Sequence, residues 1–138
     1  MKSKQCLDVQ QMQHLQELGL ELDYDTLCRY VKFEDTDWLL KPSSDLNIIG
    51  ISCRYIPAYT LQDVLYSLPA SIGDDEGDVY WLQIEKMDMK NDDWRVSYLF
   101  FSQHKYFHCF QSQHLIDAAY EMLCWAIENK FVETDKNE

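Results

Sequence analysis

Apolar residues recur along this chain with two periods, one belonging to helices and one to strands. Val9, Met12, Leu15 and Leu18 repeat at i, i+3, i+6 and i+9 and draw a single stripe. Asp8 precedes that stripe as an N-cap, and Gln11 three residues later has the spacing of a capping box. Gly19 suits the left-handed position after the last turn, and Leu20 folds back on it, so the pattern predicts a helix over 9–18. A second stripe, Leu61, Val64, Leu65 and Leu68, follows Thr60 as cap, carries Asp63 at N3 near the positive helix end, and stops at Pro69. The longest helix begins at Ser112 or Gln113 and continues through Glu128. Leu115, Ala119, Met122 and Ala126 form one row on it, with Ile116, Leu123 and Ile127 beside them, which makes a wide core face.

Between the helices the pattern is that of strands. Residues 26–33 are rich in β-formers and 37–41 follow after a polar Glu34-Asp35-Thr36, so the two runs predict a hairpin ended by Pro42-Ser43-Ser44-Asp45. Residues 47–56, with Ile48, Ile49, Ile51 and Tyr55, predict a third strand that contains Gly50 and stops at Pro57. Residues 71–78 predict an acidic loop. Runs at 79–87, 94–101 and 105–110, separated by short turns, predict an antiparallel meander. In the middle run Trp94, Val96, Tyr98 and Phe100 share one face, with Arg95, Ser97, Leu99 and Phe101 opposite. Both faces turn apolar near its end, which predicts a central strand covered on both sides there. The expectation is an α+β fold, an antiparallel sheet of about five to six strands with three helices, in the order α-β-β-(β)-α-β-β-β-α. Residues 1–131 form a single domain in this reading, and 132–138 a frayed polar tail.

Composition narrows the class. The 138 residues include 46% hydrophobic and 14% aromatic side chains, too apolar for a disordered acidic tail. The formal net charge of −12 argues against nucleic acid or an anionic membrane as a direct partner. No apolar run approaches the ~20 residues of a membrane span. The five cysteines, Cys6, Cys28, Cys53, Cys109 and Cys124, are odd in number and show no CxxC or zinc-type spacing. Four of them sit in apolar runs as small core residues, which implies a reducing, cytoplasmic compartment.

Site chemistry is sparse. His104, His108, Cys109 and His114 crowd eleven residues, but i and i+4 on a strand lie about 13 Å apart, so the spacing opposes a metal site. In Asp74-Asp75-Glu76-Gly77-Asp78 a twelve-residue calcium loop would take Asp74, Glu76 and Asp78 at positions 1, 3 and 5 and Glu85 at position 12. Position 6 is Val79 where the sharp turn requires Gly, and an apolar strand follows, so a solvated turn is the better reading. There is no GxSxG, P-loop or GxGxxG, and nothing selects a cysteine–histidine pair or a carboxylate pair from so many. No catalytic residue, cofactor or metal is expected. Tyr98, Phe100, Phe101, Tyr106, Phe107 and Phe110 read mainly as core, with a protein-binding patch on an exposed sheet face as the other reading.

Three segments carry a resemblance: 9–20, beginning Val9-Gln10-Gln11-Met12; 57–65, beginning Pro57-Ala58-Tyr59-Thr60; and 115–125, beginning Leu115-Ile116-Asp117-Ala118. Together they resemble a family of short uncharacterised proteins encoded by phages, prophages and other mobile elements of gut anaerobic bacteria. The blocks span about a quarter of the chain. The resemblance implies a bacterial cytoplasmic setting and shared capped helices, and it supplies no catalytic residues.

The functional expectation is a small non-enzymatic protein-binding module of phage or mobile-element type, with a protein partner or self-association. The alternative is an acidic decoy imitating nucleic acid toward a host nucleic-acid-binding protein. A third reading is a small enzyme with no recognisable site. Charge distribution sharpens the second. Residues 8–37 carry eight acids against two bases, residues 74–93 do the same, and the remainder is balanced. The acidic partner-binding surface expected from those stretches comprises Asp23, Asp25, Glu34, Asp35, Asp37, Asp74, Asp75, Glu76, Asp78, Asp88, Asp92 and Asp93.

Overall fold

The computed structural model describes residues 4–20, 26–44, 54–87 and 92–134. Three α-helices and seven strands are seen among them: α1 (Val9–Glu17), β1 (Cys28–Lys32), β2 (Leu39–Pro42), β3 (Arg54–Ala58), α2 (Leu61–Ser67), β4 (Ser71–Gly73), β5 (Val79–Lys86), β6 (Trp94–Phe100), β7 (Lys105–Ser112) and α3 (Leu115–Glu128). The fold is α+β and antiparallel, as expected, but the strands form two sheets rather than one. The first has the order β2-β1-β3 and the second β4-β5-β6-β7. None of the described helices is long and apolar enough to cross a membrane.

The helix ends follow from local chemistry. Asp8 accepts from the Gln11 amide at 2.8 Å while the Gln11 side chain accepts from the Asp8 amide at 3.0 Å, a complete capping box. Thr60 and Asp63 make the same reciprocal pair at α2. Gly19, with φ of +90°, ends α1, and the Leu20 amide reaches back to the Leu15 carbonyl at 3.1 Å. At the end of α3 the left-handed place falls to Lys130, at φ of +66°, and Phe131 closes the motif onto the Ala126 carbonyl at 2.8 Å.

Five differences from the sequence reading have physical reasons. The 71–78 loop contains β4, whose Ile72 is its one buried residue and pairs with Tyr80. Strand β3 runs through Pro57 instead of stopping there, because an edge strand has a side that needs no ladder bond. The earlier part of that expected strand, 47–53, lies outside the described residues. Strand β7 continues to Ser112, held by the pairs Arg95 with Gln111 and Trp94 with Ser112, so α3 starts later, with His114 as N-cap. Val132, expected in the tail, packs against the core.

One apolar cluster joins Leu7, Met12 and Leu15 with Ile56, Val64, Tyr80, Val96, Tyr98, Met122 and Leu123. Helix α3 lies against β6, β7 and α2, and α1 lies against β3. Strand β6 is central, as its two apolar faces predicted, and Val96, Ser97, Tyr98 and Leu99 are all buried. Tyr98 faces His108 while Leu99 faces Tyr106, which leaves Phe107 as the extra residue of a β-bulge. The bulge turns two neighbours toward α3: Phe107 meets the Trp125 ring edge-on at 5.7 Å, and His108 stacks on it at 4.6 Å.

Candidate protein-binding surface

Helix α3 covers one face of the four-stranded sheet, so the opposite face is defined by alternation along the strands. Cross-strand registers place three rows on it: Trp81, Leu99 and Tyr106; Gln83, Ser97 and Cys109; Glu85, Arg95 and Gln111. Tyr106 spans the middle row. Its hydroxyl accepts from Arg95 Nη1 at 3.3 Å and donates to Glu85 Oε1 at 3.4 Å, and the Arg95 guanidinium lies 5.4 Å from its ring centre. Ser97, in the row beneath that span, is fully buried, and its hydroxyl has no hydrogen-bond partner.

The first row opens into an apolar hollow of about 440 Å³, lined by Val79, Trp81, Phe100 and Phe101 with Gly77, Asp78 and Ser102. Trp81 is 49% exposed, Phe101 57% and Val79 42%. Aromatic surface left in water at a concave site is unfavourable by roughly 25 cal/mol per Å² and is relieved by a partner. The hollow borders the β4–β5 turn with its acids Asp74, Asp75, Glu76 and Asp78.

That turn is built around one carboxylate. Asp74 Oδ1 accepts from the Glu76 amide at 3.0 Å and the Asp78 amide at 2.9 Å, and Oδ2 accepts from the Tyr80 hydroxyl at 3.2 Å. Partial desolvation raises the Asp74 pKa, but the amides of Asp78 and Glu76, the Tyr80 hydroxyl and nearby Lys105 outweigh it and hold the carboxyl below its usual range. Gly77, at φ of +87°, supplies the left-handed residue the turn requires. The structure thus brings Asp74, Glu76 and Asp78 together, one oxygen of each lying within 4.8 Å of the others. The Asp74 oxygens already serve the turn.

The other expected acids lie elsewhere. Glu34, Asp35 and Asp37 are exposed in the β1–β2 turn. Asp92 and Asp93 lie in the β5–β6 turn, the length of β5, roughly 25 Å, from the β4–β5 turn. Lys86 pairs with Asp92 at 2.8 Å and holds that carboxyl below its usual range by hydrogen bond and charge. Asp93 accepts from Gln111 Nε2 at 2.9 Å. Asp23, Asp25 and Asp88 lie outside the described residues. All nine described members occupy turns, in three groups.

The histidines also diverge. His108 faces α3, His104 occupies a left-handed turn at φ of +50° against Tyr106, and His114 stands at the N-cap position of α3 without a side-chain capping bond. A second hollow, of about 540 Å³, opens where α2 and α3 begin and is lined by Lys4, Leu27, Leu61, Trp94, His114 and Leu115 among others. Of the aromatic residues weighed as core or interface, Tyr98 is buried and Phe100, Phe107 and Phe110 pack on the core, while Phe101 remains in solvent. The sequence reading did not single out Trp81 or Val79. Alternation along β5 puts both on one face, but not which face a helix would cover.

No protein-family model, no curated protein and no solved structure matches the chain.

Proposed function

We propose that this protein is a small non-enzymatic protein-binding module of the phage or mobile-element type that its helix blocks resemble. Its docking site is the face of the four-stranded sheet opposite α3, centred on the exposed Trp81 and Phe101. The observation that carries this reading is the hollow itself, apolar in lining and edged by the acidic β4–β5 turn. Exposed Trp beside a concave apolar site is the composition of interface hot spots. The acids at its edge favour a partner segment with an aromatic or aliphatic anchor flanked by Lys or Arg, and they steer its approach.

A displayed peptide library tests this directly. Enriched peptides should carry an apolar anchor with flanking basic residues and bind more weakly as salt is added. Trp81→Ala should weaken them about 30-fold, the scale of a 2 kcal/mol hot spot. Asp75→Lys should slow association without altering the melting temperature. Peptides that bind Trp81→Ala and Phe101→Ala as tightly as the parent, or a library that yields no enriched sequence, would remove the proposal.

A further inference from the structure

Cys6 and Cys28 are 22 positions apart in sequence but are brought to neighbouring pairing positions at the end of β3. Cys28 faces Ala58 in the β1–β3 ladder, and Cys6 faces Thr60 in an isolated antiparallel bridge. Ala58 and Thr60 are alternate residues of one extended run, so their partners project to the same side. Two contacts hold the N-terminal segment there. The Leu7 amide donates to the Tyr59 carbonyl at 2.9 Å, and the Tyr30 hydroxyl, two residues along β1 from Cys28, donates to the Leu7 carbonyl at 2.6 Å. Beside Cys28, Ala58 contributes only a methyl group. Both thiols are free, and Cys28 is close enough to raise the energy of ionising Cys6.

We propose that Cys6 and Cys28 are a dithiol modification site that closes to an intramolecular disulfide by exchange with a small-molecule disulfide. Cys28 is half-buried and Cys6 buried, which sets the order of events. The Cys28 sulfur attacks one sulfur of the small disulfide, whose S–S bond breaks. One half leaves as a thiol carrying the Cys28 proton, and the other stays on Cys28 as a mixed disulfide. The neighbouring Cys6 sulfur then attacks Cys28 Sγ, expelling the second half as a thiol with the Cys6 proton. Two protein thiols are oxidised and one small disulfide is reduced to two thiols. Burial, with Cys28 and Asp63 nearby, pushes the Cys6 thiol up, in keeping with its acting second and only at close range.

Oxidised glutathione is the probe. Incubation with the folded protein, alkylation of remaining thiols and peptide mapping should recover a Cys6–Cys28 cross-link in a monomer, reversed by dithiothreitol. The bond closes a loop between residues 6 and 28, so the melting temperature should rise by roughly 5–10 °C. Cys6→Ser should accumulate glutathione on Cys28, and Cys28→Ser should leave Cys6 unmodified in the folded state. A stable mixed disulfide on wild-type Cys28 beside an unreacted Cys6 would overturn the proposal. So would oxidation confined to dimers linked through the exposed Cys109, or Cys6 reacting equally fast in Cys28→Ser.

Discussion

The two sheets each have a central strand, yet they bury it very differently. In β6 four consecutive residues, Val96 to Leu99, are buried, whereas in β1 only Val31 is, and it lies outside the main apolar cluster. A central place satisfies a strand's hydrogen bonds but does not by itself exclude water from its side chains. That takes a covering layer. Strand β6 lies against α3, with nine buried residues, and the Tyr106 side chain reaches across its other face to Arg95. The three-stranded sheet has the shorter α1, with two, touching its edge strand β3, and it leaves Leu39, Leu40 and Tyr55 in solvent.

The largest test of this contrast compares two leucines. Leu123→Ala empties a site of 0% exposure under the four-stranded sheet and should cost about 3 kcal/mol, whereas Leu40→Ala, at 47% exposure, should cost less than about 0.5 kcal/mol. Urea denaturation measures both, and similar losses would erase the distinction. Native-state hydrogen exchange should agree, with β6 amides opening only on global unfolding and the β1–β2 hairpin opening earlier.

A smaller effect lies at the tie between the two covering layers. Lys4, before α1, reaches Asp117 of α3 at 2.8 Å, and Gln11 of α1 donates to the same oxygen at 2.9 Å. Desolvation raises the Asp117 pKa, but the bonds from Gln11 and Lys4 and the Lys4 charge outweigh it and hold the carboxyl below the usual range. A carboxylate depressed on folding stabilises fully above its unfolded value, near 4, and loses that contribution as pH falls through the folded value. Asp117→Asn should therefore cost on the order of 1 kcal/mol at neutral pH. The gap to the parent should narrow as pH falls below the ordinary carboxylate range in a series of thermal melts. A gap that stays constant with pH would show that the ion pair contributes nothing.

The smallest effect has the opposite sign. Ser97 lies in the buried run of β6 with an unpartnered hydroxyl, so Ser97→Ala should stabilise by about 0.5–1 kcal/mol. A loss of stability on chemical denaturation would mean that the hydroxyl is satisfied in solution.

How far this architecture is legible in the sequence differs by element. Asp8 with Gln11, Thr60 with Asp63, and Gly19 before Leu20 each act within one helical turn, and each appears in the structure as its spacing implies. The two apolar faces of β6 likewise announce a central strand, although Phe101, just past its end, stands in solvent. By contrast, β4 is three residues with a single buried side chain and leaves no period to detect. Division into two sheets depends on pairings such as Cys28 with Ala58, whose partners no local pattern names. The expected acidic surface was a linear count of charge, and its nine described members fall in three turns.

By itself the chain order of residues determined the helix caps, the alternation of each strand and the α+β class, because these depend on neighbours a few positions away. Only the tertiary structure decided which sheet face α3 covers, and therefore that Trp81 and Phe101 stand in solvent while Tyr98 does not. It also decided that Cys6 and Cys28 pair with alternate residues, Thr60 and Ala58, at the end of β3. Both outcomes depend on packing between distant segments, where the free energy of covering apolar surface selects one arrangement from many that the local pattern allows equally.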